Sequence, residues 1–403
     1  MIDTIYEKKN KCTMCEACSN ICPVNAISIQ NDEKGFGYPI INHDKCLECG
    51  LCKKVCMTRH TSTYHNALEA KAVALKNSSN LSKSSSGGLF FGLAKQILNE
   101  RGVVFGAKYT LDKGHLNIIH DKVDNIDDLE SLQGSKYVRS SIGLSYKEAE
   151  RELKDGKIVL FTGTPCQVAG LYNYLGKDYD ELVTADVICH GVPDPQLFKN
   201  YLAFLGEKNR GTIKEFSFRD KEYGWGLTGS AIIQKNNKAL KKVRISHLLS
   251  SYYSLFLDGN IYRANCYECE YARGDRVSDI TMGDFWGIYK EHPKLLARNG
   301  GPIDETKGLS CAIINTPKGK RIFEQSDNLF ETYDSSFEIV QRNNGQLNHP
   351  SEKPKDFELY ESIINNNFEV IDRKFWKEHS KTKRRIRYCI KRAKSVVSKI
   401  LKR

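Results

Sequence analysis

No apolar run in the 403 residues approaches the ~20 that a membrane-crossing helix requires. The longest candidate, Gly88–Ala94 (GLFFGLA), reads as the start of a buried helix. A secretory leader is missing as well, because the first eleven residues (MIDTIYEKKNK) are polar and charged. That points to a reducing cytoplasm, where disulfides are disfavoured. Charge bias is absent from most of the chain. Residues 373–403 hold 14 Lys/Arg and one acid, Glu378, and without them 47 basic residues face 48 acidic ones. The whole excess of +12 is therefore a tail on a neutral body, which excludes a generally basic, nucleic-acid-coating protein. In its helical stretch the tail has one aromatic, Tyr388, and so offers no stacking platform; nucleic acid is excluded as a partner.

Cysteine is what the chain does have. Eight fall in the first 56 residues as two matching runs, Cys12, Cys15, Cys18, Cys22 and Cys46, Cys49, Cys52, Cys56, and no other internal repeat is visible. Each reads C-x2-C-x2-C-x3-C, and Pro23 closes the first. This is the bacterial ferredoxin pattern for two 4Fe–4S clusters, in which the fourth cysteine of each run serves the other cluster. One cluster is thus assigned to Cys12, Cys15, Cys18 and Cys56, the other to Cys46, Cys49, Cys52 and Cys22. Structural zinc would want two separated C-x2-C pairs, which these runs are not. Met57 stands where the second run would carry proline, a turn-shaping position and not a ligand.

The length predicts more than one domain. The boundaries read 1–62 for an α+β ferredoxin-like domain, a linker at Thr61–Ala70, then 70–372 for an α/β domain with a mixed sheet, and 373–403 for the tail. Across the body, short apolar strands alternate with helices, for example Leu89–Asn99, Val103–Tyr109, Lys157–Phe161 and Leu182–Cys189, which implies α/β. After about residue 211 the pattern turns to paired strands, Thr212–Arg219 and Ser230–Lys235. Lys83–Leu89 (KSSSGGL) opens a helix with free N–H groups, suited to an anion or to simple capping. In Lys157–Gly170 (KIVLFTGTPCQVAG) a strand ends at a helix start, placing Cys166 in its first turn. Strand tips are where α/β proteins hold ligands. Cys189 and His190 stand at the next tip, and Cys266 with Cys269 forms a C-x2-C pair that by itself fits half a zinc site or a redox dithiol equally well. Beside two ferredoxin clusters, Cys166, Cys189, Cys266 and Cys269 read as the thiolates of a third 4Fe–4S cluster. Cys311 in an apolar strand reads as core, and Cys389 in the tail as a bystander.

Six motifs occur in order: S-S-S-G-G at 84–88, G-S-K-Y-V at 134–138, T-G-T-P-C-Q-V-A-G-L at 162–171, C-H-G-V-P at 189–193, F-R-D-K-x-x-G-W at 218–225, and C-x2-C…D-I-T-M-G-D-F-W-G at 266–287. Over roughly residues 70–370 the chain resembles the β-subunit family of coenzyme F(420)-reducing hydrogenase and dehydrogenase. The resemblance implies an oxidoreductase with non-covalent FAD and one further 4Fe–4S cluster in this domain. It would place Ser85, Ser86, Gly87 and Gly88 near the FAD pyrophosphate, with Gly134, Ser135, Lys136, Tyr137, Thr162, Gly163 and Thr164 lining the flavin. It leaves the substrate open between the deazaflavin coenzyme F(420) and, in bacteria, an unknown one in surface-polysaccharide biosynthesis; an electron-transfer subunit of a larger complex is the alternative. His190, Lys221 and Asp284 are acid/base candidates, each with an equally good structural role, and none is assigned.

In the tail Ile386, Cys389, Ile390, Ala393, Val396, Val397, Ile400 and Leu401 recur at three- and four-residue steps among Lys and Arg. A basic amphipathic helix of this kind suits an anionic membrane surface, reached through residues 381–403. The expected partners are that surface and ferredoxin or another redox protein, at the cytoplasmic membrane face.

Overall fold

The computed structural model describes residues 4–32, 35–112, 115–235, 240–355, 357, 358, 360 and 367–400, with backbone alone at 391 and 394–400. The N-terminal unit is a two-stranded ribbon, β1 (Ile27–Asn31) and β2 (Gly37–Ile41), with Ile29 opposite Pro39. Short helices Ala17–Ile21 and Leu51–Lys54 follow the two cysteine loops. Pro39 is tolerated because a two-stranded ribbon has only edges.

The body is built on strands β3 (Glu69–Leu75), β4 (Val103–Asp112), β5 (His115–Val123), β6 (Val159–Gly163) and β7 (Leu182–Val187), then β8 (Thr212–Ser217), β9 (Thr228–Gln234) and β10 (Leu240–Ser246), and last β11 (Ile280–Asp284), β12 (Ser310–Ile314) and β13 (Phe330–Ser335). Eight of them form one mixed sheet in the order β13-β3-β12-β11-β7-β6-β4-β5. Its centre, β4, β6, β7 and β11, is parallel, and the flanking pairs are antiparallel. Central strands are buried on both faces, so β12 (SCAII) reads as a continuous apolar run, whereas edge strand β5 alternates buried and half-buried residues. Helix Leu89–Asn99 covers one face; Ser145–Lys154 and Pro165–Leu175 cover the other.

Two features differ from the sequence expectation. The paired strands after residue 211 do not extend the main sheet. β8, β9 and β10 form their own antiparallel sheet, packed through Phe216, Phe218 and Ile233 on helix Pro195–Asn209. Nor is Thr61–Ala70 loose. His65 exchanges backbone hydrogen bonds with Arg276 at 2.7 and 2.8 Å, Leu68 N donates to Ile314 O, and β3 has begun by Glu69. Periodicity reports burial on an element but not which sheet edge it joins.

The ferredoxin-like unit is gripped by the body. Glu16, buried in the loop between Cys15 and Cys18, pairs with buried Arg139 at 2.9 Å. Its carboxylate also accepts from Ile142 N and Gly143 N, both at 3.1 Å, and from Ser141 Oγ. Arg263, fully buried, reaches across from the body to Gly37 O (3.1 Å) and Cys12 O (3.3 Å), its guanidinium 4.8 Å from the Tyr38 ring centre. Helix Pro165–Leu175 comes so close that a Cβ on Gly170 would stand 2.8 Å from Cys15 Cβ and 2.8 Å from Tyr146 Oη. Only glycine fits there.

Removing one partner of a buried, hydrogen-bonded charge pair costs about 3–5 kcal/mol, because the other charge stays behind. Glu16→Ala should therefore release the N-terminal unit early: in a denaturant titration its cluster absorbance should bleach well before the body unfolds. Coincident transitions in variant and wild type would contradict this role.

Candidate functional site

The two cysteine runs form matching loops. Met14 and Glu16 in the first run, and Glu48 and Gly50 in the second, all have positive φ (60°, 64°, 54° and 75°). These positions correspond one to one. Left-handed residues at alternating places turn successive N–H groups inward and make a concavity for an anion, as at many iron–sulfur sites. Three non-glycine residues accept this uncommon backbone, which is itself a mark of a functional loop. Glu48 N donates to Cys46 Sγ at 3.4 Å and Ala26 N to Cys22 Sγ at 3.2 Å.

The side chains then sort by space and not by run. Cys12, Cys15, Cys18 and Cys56 line one small cavity; Cys22, Cys46, Cys49 and Cys52 line another. Burial pushes the Cys12, Cys15 and Cys18 thiols up, and each is raised further by neighbouring cysteines, Cys56 among them. The two groups touch, since Cys18 also feels Cys52. Among the described residues no three His, Cys, Asp or Glu side chains converge on a single-ion site. The quartets stand around volumes, which suits a four-iron cubane better than one tetrahedral ion.

The third set comes from three loops. Cys166 lies in the first turn of helix Pro165–Leu175, started by Pro165 and by Gln167 Oε1 accepting from Thr164 N at 3.0 Å. Cys189 follows β7, and Cys266 and Cys269 lie on the turn after Arg263. Burial pushes Cys266 up to about 11 and Cys269 to about 12, and Cys189 well above its usual range, with the other three thiols of the set adding to the rise at Cys189. Cys15 feels Cys166, so this set stands next to the inner quartet of the N-terminal unit. The outer quartet is the exposed one: Cys49 is exposed, and Leu47 beside it is 64 % exposed.

A cavity of about 490 Å³ opens at the C-terminal ends of β4, β6, β7 and β11. Side chains diverge there and a crevice results, the usual ligand position of an open α/β sheet. Ser85, Ser86, Gly88, Gly134, Ser135, Lys136, Tyr137, Thr162, Gly163 and Thr164 all line it, as do Cys189 and His190. Gly87 does not. Its added Cβ would lie 2.0 Å from Val73 O and 2.4 Å from Ser310 N, so this glycine lets the chain pass against β3 and β12. Gly88 has φ +82° and caps helix Leu89–Asn99.

The wall electrostatics follow from burial. Lys136 Nζ donates to Leu132 O (3.1 Å) and Gln133 O (2.7 Å), and desolvation pushes its pKa down to about 7. Lys221 is lowered to about 7 by the same cause and by Arg219; its Nζ holds Leu81 O at 2.9 Å and Ser86 O, which ties down the serine loop. Asp284 pairs with Arg219 and accepts from Trp225 Nε1 at 2.8 Å, while Trp225 stacks on Trp286 at 5.3 Å. Two of the acid/base candidates therefore have structural employment. Burial lowers the third, His190, whose ring is on the wall. No local pattern marks His120, yet it lines the same cavity. It is stacked on Phe161 at 5.4 Å, bonded to Ser140 Oγ and Thr162 O (both 2.8 Å), and lowered by burial to about 4.

Comparison with known proteins agrees with this architecture. Residues 11–59 match the 4Fe-4S dicluster domain, and residues 156–334 match the C terminus of the coenzyme F(420) hydrogenase/dehydrogenase β subunit. An uncharacterized protein of Methanocaldococcus jannaschii is 24 % identical over 368 residues, covering 82 % of this chain and 91 % of the relative. The F(420)H(2) dehydrogenase of Methanosarcina mazei has a component that is 22 % identical over 168 residues, 39 % of this chain and 46 % of the relative. A chain of the F(420)-reducing nickel–iron hydrogenase complex of Methanosarcina barkeri aligns at a TM-score of 0.44 and 15 % identity, covering 70 % of this chain and 90 % of that one. The chain is thus an iron–sulfur electron-transfer protein of the coenzyme F(420) hydrogenase/dehydrogenase β-subunit family, with a 4Fe-4S dicluster domain at residues 11–59 and the family's C-terminal domain at 156–334.

Proposed function

We propose that the chain is an iron–sulfur flavoprotein oxidoreductase organised as domains 1–62 and 70–372 with a tail at 373–403. Cys12, Cys15, Cys18 and Cys56 would hold one 4Fe–4S cluster, Cys22, Cys46, Cys49 and Cys52 a second, and Cys166, Cys189, Cys266 and Cys269 a third. FAD would fill the cavity. One observation carries the reading: Cys189 belongs both to the third thiol set and to the cavity wall. With Cys15 beside Cys166, the four sites form an unbroken series from the exposed Cys49 to the cavity. FAD would supply the exchange between one-electron and hydride chemistry that clusters alone lack.

The residues present suit these groups. The soft thiolate sets and inward-turned N–H loops fit clusters. For FAD, Ser85, Ser86 and Gly88 lie at the start of helix Leu89–Asn99, Lys136 is a buried cation whose hydrogen bonds go to carbonyls and not to a carboxylate, and the wall is otherwise largely neutral. The hydride partner in this reading is a deazaflavin of the coenzyme F(420) kind, the substrate named in the dehydrogenase relative. A second reading, an electron-transfer subunit delivering to a larger complex, is favoured by the exposure of Leu47 and Cys49 at the outer quartet.

Anaerobically purified holoprotein should contain about twelve iron and twelve acid-labile sulfide with one FAD, and Cys166→Ala should reduce the iron to about eight. Iron that stays at about eight in wild type, and is unmoved by Cys166→Ala, would remove the third cluster. Val187→Trp, which drives an indole into the cavity from the end of β7, should lose FAD and keep its iron; full flavin content in this variant would place the cofactor elsewhere.

Lys136 gives a pH dependence. An anionic ligand prefers the protonated lysine, and that form declines as pH rises through about 7. FAD affinity of the deflavinated protein should thus weaken by up to about tenfold per pH unit above that point. Lys136→Met should bind FAD more weakly and flatten the profile. A profile unchanged by Lys136→Met would exclude this role.

A further inference from the structure

The proposed redox reading leaves the terminal helix, Lys381–Ile400, without a task. Its faces are distributed unequally. Arg384 turns to the body, where Nη1 donates to Ser254 Oγ at 2.7 Å and the guanidinium lies 5.0 Å from the Phe375 ring centre. Four residues on, the Tyr388 ring meets the guanidinium of Arg244 at 5.5 Å. Residues i and i+4 share a helix face, so this edge is the one the body holds.

Ile386 and Ile390 follow those two contacts by two positions each, which carries them about 200° round the helix, to the far side. They are 56 % and 51 % exposed, and Cys389 and Ala393 between and beyond them are exposed as well. The sequence continues the same spacing with Val396, Val397 and Ile400. Arg385 and Arg392 lie to one side of this crest and Arg387 to the other, all three exposed. In the sequence, residues 381–403 contain eleven Lys/Arg and no acid.

We infer that this outward face is a docking surface for an anionic lipid bilayer, with the helix lying in the interface and the body held above it. The charge decides the occupant. An apolar crest between two rows of arginine suits headgroup phosphates on both sides, because arginine stems can lie along the apolar surface while their cations reach outward. A second copy of this chain would bring the same eleven cations against these, and like charges oppose that pairing. The body's grip on Arg384 and Tyr388 fixes which face is offered, so attachment needs no refolding of the helix. The same face is offered whichever cofactors the body holds.

The test is co-sedimentation of the full holoprotein with vesicles of phosphatidylglycerol and phosphatidylcholine, against phosphatidylcholine alone. Binding should require phosphatidylglycerol and should fall at about 1 M salt, where the Debye length is near 3 Å. Ile390→Asp, at an exposed position that leaves the fold intact, should weaken it about tenfold or more at low salt. Three results would each overturn the inference: no pelleting with phosphatidylglycerol; equal pelleting of wild type and Ile390→Asp, which leaves charge without an inserted face; or a dimer in light scattering that Ile390→Asp abolishes while vesicles bind neither protein, which assigns the face to a second copy.

Discussion

The carboxylate of Glu16 is the point on which the two halves of this molecule depend. It lies in the loop between Cys15 and Cys18, held in a left-handed backbone conformation, and it is buried against Arg139 and the amides of Ile142 and Gly143. A charge in that position is tolerable only when fully compensated, and it is compensated only when the N-terminal unit is seated. The same loop that shapes the inner thiol set therefore fixes that set against the body. Arg263 and the missing side chain at Gly170 serve the same contact from other directions. The series of thiol sets is rigid because its joint is buried and hydrogen-bonded, and it does not rely on a tether between mobile domains.

The cysteine pattern was the most legible part of the sequence, because ligand spacing in a short loop is a local property. Strand tips were legible for a related reason: a buried apolar run followed by T-G-T-P-C or C-H-G announces both the strand and its end. Helix Leu89–Asn99 appears with the bounds its spacing predicts. What could not be read depended on contacts distant in the chain. Glu16 looks like any acid between two cysteines until Arg139 is placed beside it. Gly87 resembles a phosphate-loop glycine, and only the positions of β3 and β12 show that it serves a close approach of backbones. The separate sheet of β8, β9 and β10 has the same strand period as the main sheet, so periodicity could not tell which edge it would join. His120 gave no sign at all, since a lone histidine in an edge strand is ordinary.

The cavity shows how burial controls charge without carboxylate partners. His120 is lowered to about 4, and Lys136 and Lys221 to about 7, in each case chiefly because the charged form would be desolvated. The fixed charges of the wall, Arg219 and Asp284, cancel one another and are tied to the stacked pair Trp225 and Trp286. A nearly neutral, polar chamber results, and the charge brought in by a ligand sets the protonation of the lysine beside it.

The seat of Cys15 carries a consequence for how the protein is made. Its thiol is buried, with its Cβ pressed toward Gly170 on helix Pro165–Leu175, and the inner cavity is closed on that side once the Glu16 contact has formed. Iron and sulfide cannot be delivered to the inner thiols through that wall. Maturation thus has a sequence in time: the N-terminal loops must be metallated while still undocked, and docking then seals them. A chain that folded its body first and closed early would trap an empty inner site, which makes the speed of this one closure a checkpoint in biogenesis.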